Sequence, residues 1–208
     1  MTTPGETKPA RLFVGAAISP ECAEQLRTAS EAMAGRASDA GLAMRWVPPA
    51  NYHVTVKYLG WVKPEAVFAI RDAVAAAIEG ARGFEFRSRG FGAFPDVKKA
   101  RVFWAGLADQ SQLESIASAV EEAVVPLGFA AEKRPYHAHI TLARLKKVAD
   151  LSDFVAESEQ ASSETRCNVL NLYESVTKST GSEYTVRWQW PLGAGKRQRA
   201  ALKGRSTT

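Results

Sequence analysis

The chain has 208 residues, of which 46% are apolar and 24% charged, so it can bury a core as one domain or as two small lobes. It has no apolar run approaching the roughly eighteen residues of a membrane helix, no signal-peptide pattern, and two isolated cysteines, Cys22 and Cys167, which reads as a cytoplasmic protein with reduced thiols and no membrane helix. The net charge of +5 resides in residues 193–208, where Lys196, Arg197, Arg199, Lys203 and Arg205 stand without an acid; the remaining body is formally neutral, and charge alone does not give it a polyanionic partner.

Residues 1–10 read as a flexible arm, 11–192 as one bilobal domain, and 193–208 as a basic, disordered tail. Arg11 to Ile18 reads as a central strand. Ser19 as N-cap and Pro20 at the first helical position predict a helix to about Met33, followed by a Gly/Ala/Ser loop over 34–43. Pro48 and Pro49 bar a helix and lead into a strand over Asn51 to Gly60. Pro64 opens a second helix to about Glu79, with Val67, Ile70, Val74 and Ile78 as its apolar stripe.

Strands are predicted over 84–88, 90–95 and 101–106, the last two joined by a charged turn at 96–99. A third helix spans about 110–125 with Leu113, Ile116, Val120 and Val124 inward. A strand over Tyr136 to Arg144 follows, then a helix near 151–159. A closing hairpin runs from 166–176 through a turn at 178–182 to 184–190. Strands that neighbour as hairpins predict α+β with mostly antiparallel sheet, and each half places a His-x-Thr strand between helices.

Those two strands carry the chemistry. Successive strand residues point to opposite faces, so His53, Thr55 and Lys57 share one face, and Val54, Val56 and Tyr58 the other. In the later run His139 and Thr141 share a face opposite Ile140 and Leu142. Two of the three histidines thus precede a Thr by two positions in a strand. A neutral imidazole takes a proton while a protonated one gives a proton, and both forms exist near neutral pH because free His titrates at about 6.5. Two adjacent hydroxyls suit the non-bridging oxygens of a phosphate. In-line phosphoryl transfer needs these parts and need not use a metal.

Arg45-Trp46-Val47-Pro48-Pro49 with His53-Val54-Thr55-Val56-Lys57-Tyr58-Leu59-Gly60, and His139-Ile140-Thr141-Leu142-Ala143-Arg144, resemble the paired signatures of the two-histidine (2H) phosphoesterase superfamily. More narrowly, they resemble those of the RNA 2′,3′-cyclic phosphodiesterases, formerly called 2′-5′ RNA ligases. The likeness extends over about residues 11–192, through Arg11-Leu12-Phe13-Val14, Gly90 to Pro95, Arg101 to Gly106 and Leu172-Tyr173-Glu174-Ser175. It implies a bilobal α+β fold of two mostly antiparallel sheets around a V-shaped cleft. It also implies metal-independent opening of an RNA 2′,3′-cyclic phosphate end, or of a cyclic nucleotide, to a 2′-phosphomonoester, with no cofactor; nothing in the sequence demands more than a monomer.

In this reading His53 is the general acid, His139 the general base, and Thr55, Thr141 and Arg144 bind the phosphate. From the residues alone the two motifs are symmetric and leave the acid and base unassigned. Arg144 falls on the wrong face by strict alternation and reaches the phosphate only if the strand ends or bulges beyond Leu142. The pair run backward would join RNA ends through a 2′-5′ link.

Other readings stand beside this one. His137 reads as peripheral, Lys57 as a solvated edge residue, and Trp46, Phe94, Trp104 and Tyr173 as core rather than base-stacking platforms. His53, His137 and His139 could form a zinc site, but no well-placed carboxylate or Cys joins them and both Thr are left unexplained. A non-catalytic RNA- or nucleotide-binding module would use the same cleft without needing two proton-transfer groups.

Overall fold

The computed structural model describes residues 8–156, 161–178 and 181–193. Most of the arm over 1–10 and all but the first residue of the tail over 193–208 lie outside these, as do parts of the helix near 151–159 and of the turn at 178–182.

Strand β1 (Ala10–Ala17) alternates two different surfaces. Leu12, Val14 and Ala16 are buried in the core, while Phe13 lies against the ring of His53. Helix α1 (Pro20–Asp39) starts where Ser19 caps it, the Ser19 hydroxyl accepting from the Cys22 amide at 3.2 Å. It runs six residues past the expected stop. Gly35 is weak in a helix, but Ala37, 2% exposed, still packs beyond it, and burial outweighs propensity. Strand β2 (Met44–Trp46) and a 3₁₀ turn (Pro49–Asn51) lead to β3 (His53–Val62). The strand passes through Gly60 at φ +75° instead of stopping there.

A short 3₁₀ turn precedes α2 (Val67–Ala77), with Ile70 and Val74 fully buried. The two short strands expected over 84–95 are one strand, β4 (Phe84–Phe94), with a register shift between Ser88 and Phe91. Strands β5 (Ala100–Leu107) and β6 (His139–Ala149) flank α3 (Ser111–Val124), whose Leu113, Ile116, Val120 and Val124 face inward. Helix α4 (Ser152–Ala156) is short. Strand β7 (Ala161–Cys167) takes Arg166 away from the expected hairpin and pairs with β4; the hairpin is β8 (Val169–Lys178) with β9 (Gly181–Pro191).

All ladders between named strands are antiparallel, in the order β7-β4-β5-β6-β3-β1-β8-β9, with β2 also on β6. The two halves, β7-β4-β5-β6 and β3-β1-β8-β9, join through one bridged pair, Val54 with Ile140. They are therefore two sheets fused at a seam. Helices α1 and α4 lie on the β6 half, where the Ser19 amide donates to Thr165 of β7. Helices α2 and α3 lie on the β3 half, where Lys57 of β3 pairs with Glu121 of α3 and the Trp190 indole donates to the Arg71 carbonyl. The helix that follows β1 thus covers the opposite half, and the helix that follows β5 does the same in return. Among the described residues no helix is long and apolar enough to cross a membrane.

Candidate active site

The seam places the chemistry-bearing residues. Val54 and Ile140, both fully buried, face the helices, so their neighbours His53, Thr55, His139 and Thr141 all face the opposite side. Extending the antiparallel register from that pair sets Thr55 against His139 and His53 against Thr141. The two imidazoles are then diagonal neighbours, a relation that puts Cα atoms roughly 7–8 Å apart. A single tetrahedral phosphate fits between groups at that separation.

Arg144 joins them through a bulge. Phe103 pairs with Ala143 and Trp104 with Thr141, so Leu142 is an extra residue in β6. Val102 pairs with Arg144 and shares a face with Trp104, hence with Thr141. The inserted residue brings Arg144 to the side of the histidines, and its positive charge bears on both of them.

A bulge in β3 does the opposite for Lys57. Gly15 pairs with Thr55 and Val14 with Lys57, leaving Val56 unpaired. Lys57 turns toward the helices, where it is 7% exposed, bonded to Glu121 at 2.5 Å and to the Ala130 carbonyl at 2.8 Å. It is neither a cleft residue nor a solvated edge residue. Tyr58, expected on the buried face, is 52% exposed and accepts a bond from Arg11 Nε.

Both histidines are held in the same way. His53 Nδ1–H donates to the Asn51 carbonyl at 2.7 Å, and His139 Nδ1–H donates to the His137 carbonyl at 2.8 Å. A carbonyl only accepts, so Nδ1 carries the proton in each neutral ring and Nε2 is the free, basic nitrogen. Thr55 Oγ1 lies 3.2 Å from His53 Nε2. Burial pushes His53 down to about 4, against the help of the Asn51 carbonyl and together with the charges of His139 and Arg144. Burial likewise lowers His139, with the charges of His137 and Arg144 adding to it. Before substrate binds, both rings are therefore neutral at pH 7.

Aromatic side chains wall each imidazole. Phe13 at 4.8 Å and Tyr184 edge-on at 5.0 Å flank His53, and Tyr173 stacks on Phe13. Phe94 meets His139 edge-on at 4.9 Å and packs on Trp104. Trp104 needs Gly92 beneath it, because a Cβ there would come within 2.2 Å of the indole. Phe94, Trp104 and Tyr173, expected as core, therefore border the histidines; Trp46 does pack against the core, edge-on to Phe103.

The sequence reading missed Phe13 and Tyr184. Phe13 was legible only as one letter of an apolar strand, although the alternation Arg11, Phe13, Gly15 marks a second face. His137 lies outside β6, exposed, its ring 6.5 Å from that of His139 and 4.8 Å from Trp104. Among the described residues no group of three or more His, Cys, Asp or Glu is arranged to hold a metal ion, so the three-imidazole zinc reading has no geometric support.

A model of the 2′-5′ RNA ligase superfamily matches residues 16–178. An Archaeoglobus fulgidus protein named RNA 2′,3′-cyclic phosphodiesterase is 27% identical over 176 residues, covering 84% of this chain and 96% of that protein. Proteins of the same name from Aeropyrum pernix and Geobacillus stearothermophilus are 34% and 32% identical, over 55% and 58% of this chain. These two alignments span only 65% of the first protein and 38% of the second. In fold, a Thermus thermophilus protein superposes with a TM-score of 0.73 at 24% identity, covering 88% of this chain and 98% of that one. E. coli LigT superposes at 0.70, also with 24% identity, covering 89% and 99%. With its paired motifs meeting at one seam and the family model running through both, this chain belongs to the 2′-5′ RNA ligase superfamily, the family of the 2H phosphoesterases.

Proposed function

We propose that the protein opens RNA 2′,3′-cyclic phosphate ends to 2′-phosphomonoesters without a metal or other cofactor. The observation that carries this is the crossed arrangement of two Nδ1-anchored imidazoles, each with a Thr beside it, about a single strand pair. Water attacks phosphorus as His139 Nε2 takes its proton. The P–O3′ bond breaks in line, and His53 Nε2–H delivers a proton to O3′. One P–O bond forms, one breaks, and the net proton count is unchanged. Thr55, Thr141 and Arg144 stabilise the charge that develops on the non-bridging oxygens.

His53 needs a proton to serve as acid, and burial opposes it. The phosphodiester supplies the countercharge, raising the imidazole's pKa as the substrate binds. A 5′-hydroxyl in place of water runs the same steps toward a 2′-5′ link. A non-catalytic RNA binder would have no use for two basic Nε2 atoms directed to one face. We infer a monomer acting in the cytoplasm, in keeping with two buried cysteines that form no disulfide.

The test is incubation with an oligoribonucleotide ending in a 2′,3′-cyclic phosphate, with the product ester identified. A 2′-monoester formed equally well in chelator is expected. His53→Ala and His139→Ala should each lower kcat by at least about 10²–10⁴-fold. A 3′-monoester product, or full turnover by both variants, would overturn the reading.

A further inference from the structure

Beyond the reacting phosphate, the seam continues. The segment 44–54 is one antiparallel partner of β6, interrupted only by an excursion over 48–52. Arg45 pairs with Arg144, Trp46 with Ala143, the Val47 amide donates to the Leu142 carbonyl at 2.8 Å, and Val54 then pairs with Ile140. Side chains directly opposite in an antiparallel pair share a face, so Arg45 lies on the face of Arg144, which is the face of the histidines. Beside the two rungs to which the Val54–Ile140 register extends, Thr55 toward His139 and His53 toward Thr141, the paired Arg45 and Arg144 form a third.

The third rung is electrostatically unbalanced. Cross-strand partners have Cβ atoms roughly 4.5–5.5 Å apart, and like charges there repel. Both guanidinium groups are exposed, and among the described residues neither lies within ion-pair distance of a carboxylate. Exposed Arg87 pairs with Glu164 and exposed Arg134 with Glu132, whereas Arg82, Arg89 and Arg101 also lie outside ion-pair distance of a carboxylate among the described residues; what sets this rung apart is that its two cations face each other across one strand pair. Lys146, exposed and two residues beyond Arg144 on β6, adds a further cation. An anion between the two arginines relieves the repulsion. Thr141 to Arg144 is two strand repeats plus one bulged residue, so the rung lies about 7 Å along β6 from the second one. Arg144 shares that rung and is given to the phosphate held between the histidines, which leaves Arg45 as the cation for a neighbouring anion.

We propose that Arg45 binds a second phosphate, the one on the 5′ oxygen of the terminal nucleotide, which in RNA is the next internucleotide link. The substrate class is then a chain end rather than a free cyclic mononucleotide. This rests on the cyclic phosphodiesterase reading, and the experiment separates the two. Three substrates are compared: uridine 2′,3′-cyclic phosphate, its 5′-phosphorylated form, and the dinucleotide uridylyl-uridine 2′,3′-cyclic phosphate.

Arg45→Ala should raise KM for the dinucleotide about ten- to hundredfold and leave the unphosphorylated mononucleotide within about twofold. Arg45→Lys should recover part of the loss, and the slope of log affinity against log salt should fall by roughly 0.7. The exposed Lys63→Ala, with the same charge change, should do neither. If the 5′-phosphorylated mononucleotide loses as much as the dinucleotide, a terminal phosphate suffices; if it loses nothing, the diester is what is read.

Equal losses on all three substrates, or none on the dinucleotide, would overturn the proposal. Calorimetric binding of the 3′-phosphates of uridine and of the dinucleotide gives a readout without turnover. A wild-type preference for the dinucleotide that Arg45→Ala abolishes supports the second-phosphate site even if no cyclic end is hydrolysed, in which case only the catalytic reading fails.

Discussion

Burial acts on both imidazoles in the same direction, and for His53 it also ties stability to pH. The ring sits at about 4 when folded and returns to about 6.5 when unfolded. Above pH 6.5 it is neutral in both states and contributes no pH dependence. As pH falls from 6.5 toward 4 the unfolded chain takes up the proton first, so stability is lost over that window, by up to about 3 kcal/mol for this one group. Denaturant unfolding at pH 7 and pH 4.5 should show a smaller acid-side loss for His53→Gln than for the wild type. An equal loss would mean that the ring is not desolvated. The anchoring carbonyls of Asn51 and His137 matter for a different reason, because they fix which nitrogen meets the substrate.

Within the strands, single inserted residues decide which side chains reach the cleft. Strict alternation put Lys57 with the histidines and Arg144 against them. The bulge at Val56 and the bulge at Leu142 reverse both assignments. Lys57→Ala should therefore destabilise the fold by about 2 kcal/mol, since it strands the partly buried Glu121 carboxylate, while leaving KM unchanged. Thermal unfolding and steady-state kinetics on the same preparation check both halves of that statement, and a raised KM would return Lys57 to the cleft.

The legibility of the rest follows from similar causes. The Ser19–Pro20 start of α1 and the stripe of α3 were readable because caps and 3.6-residue periodicity are local signals. The continuation of α1 past Gly35, the separation of β7 from β8 and the unity of β4 were not, since each depends on a distant partner. The two His-x-Thr motifs could be read because type and spacing travel together. Arg45 stood in the sequence as part of a signature, and only the register gives it a neighbour of the same charge.

Across the whole molecule, the two motifs meet because two sheets touch at one pair of residues. That pair transmits position rather than supplying chemistry. Ile140→Ala should cost about 3 kcal/mol, as a fully buried isoleucine does elsewhere in the core. It should also lower kcat further than the comparably buried Ile70→Ala, which lies on α2 away from the seam. Matched unfolding and turnover measurements on the two variants make the comparison, and an equal kcat would show that the seam can shift without misplacing the histidines.

The exchange of α1 and α3 between the halves has its own result. Each half is covered by a helix whose connecting chain begins in the other, so the two halves cannot part without stripping a helix from its sheet.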